Sequence, residues 1–181
     1  TTNPTQTNVA LSAHVGSLPT NAGVSYQQTL ADVPSCFVFD RCVFSAGANG
    51  SQNTINCDGR YVRVVHCDLG YARYYSPPSS RPECHSVVTY NTDGRIEILG
   101  NKFAANGIGW LIGGAPPAIK NVVPTDIVMM WNRMHWPLNF GTEYDAQSIK
   151  NAGEFKTGVR GIFAFNDIAN MPLNPNQRFA F

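Results

Sequence analysis

The chain has 181 residues, a mass of 19.8 kDa, and 13 Lys and Arg against 12 Asp and Glu, for a net charge of +1. That size suits one domain whose core needs neither metal nor disulfide. The basic residues are scattered, which argues against a counterion-releasing nucleic-acid face. No apolar run approaches the ~18 residues of a membrane helix.

Residues 1–31 contain no Asp, Glu, Lys or Arg. Thr1-Thr2-Asn3-Pro4-Thr5 is polar and broken by proline, so residues 1–8 read as an entry arm and 9–181 as a single β-rich domain. Residues 9–15 and 24–30 carry weak apolar alternation, ended by Pro19 and Pro34. From Cys36 the pattern sharpens. Cys36-Phe37-Val38-Phe39 and Cys42-Val43-Phe44 are β-branched and aromatic, with a loop at Gly47-Ala48-Asn49-Gly50. Asp58-Gly59 is a pair favoured in tight hairpin turns, and residues 60–66 follow it as a strand. Residues 71–75 form a short strand before a loop holding Pro77, Pro78 and Pro82.

Residues 86–90 and 95–99 flank Asn91-Thr92-Asp93-Gly94, the sequence of a β-hairpin. Residues 108–112 and 127–131 are apolar strand candidates. A competing reading caps a helix over 127–134 with Thr125 or Asp126. Residues 145–156 form a second possible helix, weakened by Gly153, and residues 159–165 a late strand. Arg178-Phe179-Ala180-Phe181 ends the chain on an aromatic alternation. Short strands at roughly ten-residue spacing predict an antiparallel β-sandwich, jelly roll or β-barrel with long loops and at most one or two short helices. No internal repeat is visible, which argues against a solenoid.

Cys36, Cys42, Cys57, Cys67 and Cys84 fall in one 49-residue stretch. An odd number leaves at least one free or paired between chains. Two readings stay open. One is a bridged, secreted domain with a glycosylation sequon at Asn49-Gly50-Ser51, the other a set of thiols kept in a reducing compartment. Cys57, His66, Cys67, Asp68, Cys84 and His85 are too widely spaced for a structural zinc site, and no cofactor or metal is expected. His66 or His85, with Ser86 and Asp68, could serve a hydrolase, but no nucleophile-elbow pattern accompanies them. Glu143 and Asp145 read as solvated loop acids. The glycines at 107, 109, 113 and 114 lack the spacing of a phosphate loop.

The segment Trp131-Asn132-Arg133-Met134-His135-Trp136 packs two indoles, a guanidinium, an imidazole and an amide into six residues. Such side chains stack on sugar rings, hydrogen-bond hydroxyls and populate protein interfaces. With Arg73, Tyr74, Tyr75 and Trp110 they give the candidate binding set Arg73, Tyr74, Tyr75, Trp110, Trp131, Arg133, His135 and Trp136. The competing reading places the tryptophans in the core.

The uncharged Thr/Asn/Pro arm of residues 1–8, the loops at 76–82 and 113–117 and the terminal 178–181 strand together resemble the protruding or spike domain of a small non-enveloped virus capsid protein. The resemblance implies a non-enzymatic, surface-exposed module on the virion, assembled as a homodimer or homotrimer. Its partner would be a host receptor or carbohydrate, with no part for nucleic acid or membrane insertion. A secreted lectin or adhesin is the alternative, and a hydrolase on a β scaffold using His66 or His85 is the second.

Overall fold

The computed structural model describes residues 9–13, 29–44, 50–51, 53–70, 73–74, 84–89, 92–104, 107–114, 119, 121–136 and 151–171. In chain order the strands are β1 (Val9–Ala13), β2 (Phe37–Asp40), β3 (Val43–Phe44), β4 (Gly50–Ser51), β5 (Asn53–Cys57), β6 (Val62–Val65), β7 (Asp68–Leu69), β8 (Arg73–Tyr74) and β9 (His85–Thr89). They continue with β10 (Gly94–Leu99), β11 (Lys102–Phe103), β12 (Ile108–Ile112), β13 (Pro124–Met130), β14 (Arg133–His135), β15 (Gly153–Phe155), β16 (Val159–Ala164) and β17 (Asp167–Ala169). One 3-10 turn spans Leu30–Asp32.

These strands form three five-stranded sheets, ordered β1-β5-β9-β12-β15, β16-β13-β10-β6-β2 and β17-β14-β11-β7-β3. Every neighbour in them is parallel, and among the described residues only the two-residue pair β4–β8 is antiparallel. The chain visits the first, second and third sheet in turn, five times over. The described residues therefore form a parallel β-helix of five coils, each one strand thick along the axis.

This corrects the antiparallel sandwich, jelly roll or barrel expected from the sequence, and with it the argument against a solenoid. The turn signals at Asp58-Gly59 and at 91–94 do not reverse the chain into hairpins. β5 and β9 lie in the first sheet and β6 and β10 in the second, so each turn swings the chain around a corner. The competing helix over 127–134 is also absent, in favour of the strand reading at 127–131. Its residues make the end of β13, a two-residue corner and β14, because Ile127 and Met129 alternate inward as strand residues do. Of the second possible helix, residues 145–150 lie outside the described residues and Gly153–Phe155 is a strand. The entry arm, 1–8, and the terminal 178–181 also lie outside them. Among the described residues no helix is long and apolar enough to cross a membrane.

Alternation sends every second side chain into the bore of the coil, where in-register residues stack along the axis. The second sheet contributes Val62 and Val64, Ile96 and Ile98, and Ile127 and Met129; the first contributes Ile55, Val87 and Trp110; the third contributes Leu69, Phe103 and Met134. All are buried. At Gly153, opposite Trp110, an added Cβ would sit 1.8 Å from the indole Cε2, so a side chain is sterically barred there.

The corner between the second and third sheets has the same form in every coil. It is two residues long: Arg41-Cys42, His66-Cys67, Gly100-Asn101, Trp131-Asn132 and Phe165-Asn166. The first of each pair is left-handed, with φ of 52°, 52°, 64°, 57° and 55°. In four coils that conformation is held by a residue with a Cβ, at a cost of roughly 1–2 kcal/mol each. The second residue turns inward and compensates. Asn101, Asn132 and Asn166 each accept the backbone N–H of the corner residue one coil earlier, from Cys67 (2.8 Å), Asn101 (3.0 Å) and Asn132 (3.0 Å). Their Nδ2 groups donate to the carbonyls of Val64, Ile98 and Met129. In the second coil the Cys67 thiol takes over the donor part, meeting the equivalent carbonyl of Phe39 at 3.4 Å. The result is an internal amide ladder that fixes the corner geometry of successive coils.

Candidate functional site

Because the left-handed residue of each corner turns its partner inward, its own side chain projects from the rod. Arg41, His66, Trp131 and Phe165 form a ridge along this edge, all exposed. Neighbouring coils are about 4.8 Å apart, so the four steps from Arg41 to Phe165 span roughly 19 Å. At the remaining corner, Gly100, an ideal Cβ would lie 2.7 Å from His66 Cδ2, so the imidazole occupies that place. Trp131 is 60% and Phe165 74% exposed, yet their rings stack at 6.2 Å with planes 9° apart. Two large aromatics held parallel in water form a flat apolar platform.

Beside the ridge, the outer face of the third sheet carries a charged ladder. Lys102 Nζ meets Asp68 Oδ2 at 3.0 Å. In the next two coils Asp167 receives His135 Nε2 at 2.8 Å and lies 3.8 Å from Arg133 Nε. Arg133 also donates from Nε to His135 Nδ1 at 3.2 Å. His135 is thus held by groups at both nitrogens, and Arg133 keeps further N–H donors turned to solvent beside the aromatic platform.

The structure separates the candidates read from the sequence. Trp131, Arg133 and His135 come together on the outside of the fourth coil. Trp110 and Trp136 lie inside the bore, each 1% exposed, and present no surface to a ligand. Strand alternation explains the split: Arg133 and His135 face out, Met134 and Trp136 face in. Arg73 and Tyr74 form β8, opposite Ser51 and Gly50, with side chains outside the described residues. Tyr75, Glu143 and Asp145 are outside them altogether. Sequence reasoning missed Phe165 and Asp167, each 34 positions beyond its partner in the ridge or ladder. Their only signal was the corner pattern shared with Trp131-Asn132-Arg133.

The two histidines named for hydrolysis have different surroundings. His85 is buried in β9 with Nδ1 2.9 Å from Asn53 Oδ1. Burial pushes its pKa down to about 4, against the opposing pull of Glu154, so it is neutral near pH 7. Ser86 is buried on the same strand. His66 stands on the exposed ridge, while Asp68 is engaged by Lys102. Among the described residues no group of three or more His, Cys, Asp or Glu side chains could hold a metal ion.

A second polar cluster, also unforeseen, lies on the outside of the second sheet. The Glu97 carboxylate is buried and is met by Arg95 at 2.6 Å, Tyr61 Oη at 3.0 Å and Arg63 at 3.4 Å. Three donors from two coils saturate it, so it ties β6 to β10.

None of the five cysteines is joined in a disulfide: Cys36 is exposed, Cys42 half-buried, and Cys57, Cys67 and Cys84 buried. Burial, aided by the neighbouring Asp58 charge, pushes the Cys57 thiol up to about 12 and makes it unreactive. No family model, curated protein or solved structure matches this chain at a significant level.

Proposed function

We propose that this chain is a binding module whose ridge residues Trp131 and Phe165, with Arg133 and His135 of the adjoining ladder, take up a carbohydrate, in the setting of an attachment spike on a virion surface. One observation carries the reading: Trp131 and Phe165 stack in parallel on the outside of a rigid rod while remaining mostly exposed. Exposed aromatic surface of this kind marks a recognition site. A pyranose presents an apolar C–H face to such a platform and hydroxyls to its rim. Arg133 and Asp167 supply a donor and an acceptor at that rim. The β-helix supplies stiffness, and stiffness lowers the ordering cost of binding. A projecting rod with a side-on ridge also suits a spike that meets a host cell along its flank.

The test is a glycan array probed with the whole chain, followed by titration of any hit. Trp131→Ala should weaken binding about 30-fold, corresponding to roughly 2 kcal/mol for a central aromatic contact. Arg133→Ala should weaken it less. Absence of any glycan signal, or a hit that survives Trp131→Ala unchanged, would overturn the proposal.

A further inference from the structure

The corner ladder has asparagine in its last three coils and cysteine in its first two. Cys42 and Cys67 occupy equivalent positions in adjacent coils, immediately before the registered pair Val43 and Asp68. The Asp68 N–H donates to the Cys42 carbonyl at 2.9 Å, which fixes the two backbones side by side. Parallel neighbours lie about 4.8 Å apart, inside the 4.4–6.8 Å Cα separation that a disulfide spans. Side chains at this position point at one another along the axis: Asn101 Nδ2 meets Asn132 Oδ1 at 3.0 Å, and Asn132 Nδ2 meets Asn166 Oδ1 at 2.9 Å. The Cys67 thiol follows the same direction. Cys67 Sγ reaches back to Phe39 O in the first coil at 3.4 Å, while the Cys42 thiol donates to Asp40 O at 3.5 Å. The other three cysteines stand at different places in their coils: Cys36 before β2, Cys57 at the end of β5 and Cys84 before β9.

We propose that Cys42 and Cys67 are a cross-linking site, two thiols preset to join as a disulfide that staples the first coil to the second. The oxidant is a small disulfide such as oxidised glutathione. Cys42 is half-buried and Cys67 buried, so Cys42 reacts first. Its thiolate attacks one sulfur of the oxidant and expels one glutathione thiolate, leaving a mixed disulfide on Cys42. Cys67 then gives its proton to the released thiolate, attacks the Cys42 sulfur and expels the second glutathione. Two protein thiols lose two electrons, and one small disulfide becomes two thiols. The bond closes a loop from residue 42 to residue 67, across the end of the rod where Phe37, Phe39 and Phe44 are only partly buried. Constraining a loop of that length in the unfolded chain should lower the unfolding equilibrium constant by about 400-fold.

The experiment equilibrates the folded chain in a glutathione redox buffer, blocks residual thiols, digests with trypsin and maps cross-links by fragmentation mass spectrometry. The expected product joins the peptide that begins at Cys42 to the peptide holding Cys67, released by cleavage after Arg63 and Arg73. Fragment ions must place the link at Cys42 and not at Cys57, which shares its peptide. The urea midpoint should rise with the cross-link and fall back on reduction. Cys42→Ala should abolish both effects and Cys36→Ala should preserve both. A reaction that stops at glutathionylated Cys42, a link through Cys36, Cys57 or Cys84, or a cross-link with no gain in stability would overturn the proposal. The mapping on the unsubstituted chain decides the pairing even if a variant fails to fold.

Discussion

Asn132→Ala removes the middle rung of the corner ladder, and the structure sets the size of the loss. The Asn132 Oδ1 accepts two bonds at 3.0 Å, from the backbone N–H and the side-chain Nδ2 of Asn101. Its Nδ2 donates to Ile98 O at 2.8 Å and to Asn166 Oδ1 at 2.9 Å. Four bonds at about 1 kcal/mol net each set an upper figure near 4 kcal/mol. Two of the partners keep other bonds: Asn101 Nδ2 still reaches Val64 O, and Asn166 Oδ1 still accepts the Asn132 N–H. The other two, the Asn101 N–H and the Ile98 carbonyl, lose their rung in the dry interior. The expected loss is therefore about 3 kcal/mol. Asn166→Ala is the internal control. It also removes four bonds, but in the last coil, where the group is only part-buried and water can replace them. Its loss should be closer to 1 kcal/mol. Urea unfolding followed by tryptophan fluorescence measures both, provided the m-value is unchanged. If Asn132→Ala costs under about 1 kcal/mol, or no more than Asn166→Ala, the ladder does not hold the coils together as argued.

Two further outcomes follow from the interior. Gly153→Ala places a methyl group 1.8 Å from Trp110, whose ring is already flanked by Phe103, Phe155 and Phe163. It should cost about 3 kcal/mol in the same unfolding assay, and a near-neutral result would show that the indole has room to move. Stability should also fall on mild acidification. His85 binds its proton at about 4 when folded and near 6.5 when unfolded, so the unfolded state holds more protons between those values. Its contribution is complete above pH 6.5 and is lost as pH drops toward 4, by about 3 kcal/mol in total. His85→Gln should flatten that part of the stability–pH curve, and an unchanged slope would place the titration elsewhere.

The positions of the strands were readable in the sequence because alternation and β-branching act locally. Residues 108–112 are β12 to the residue, and the strands expected at 60–66 and 159–165 contain β6 and β16. What failed was their pairing. Asp58-Gly59 and 91–94 state that the chain turns, but a turn signal does not say whether the next strand lies beside the last or in another sheet. The repeat was hidden for a physical reason as well. Equivalent corner residues Cys42, Cys67, Asn101, Asn132 and Asn166 are 25, 34, 31 and 34 positions apart, since the loops at the other corners vary while the coil does not. Only an eight-residue core recurs, at 37–44, 62–69, 96–103, 127–134 and 161–168, and its ladder residue changes from Cys to Asn midway.

That octet also explains which members of the proposed binding set lie close together in the sequence. Trp131, Arg133 and His135 are close in sequence because one corner and one strand carry them, whereas Phe165 and Asp167 join them only through the parallel register. Trp131 and Trp136 looked equivalent until the corner was known. The left-handed residue at 131 reverses the sense of alternation, so the side chain before Asn132 projects outward while Asn132 itself turns in. Consecutive residues thereby serve opposite faces of the same turn: Trp131 has its ring in solvent, and Asn132 has all its polar atoms inside. The strain of the left-handed corner is what puts an aromatic residue on the ridge, and the amide ladder is what keeps that strain from unwinding. The proposed recognition and the stability are coupled through the backbone here but separable by side chain. Truncating the indole should spare the fold, and truncating the amide should weaken the fold from within.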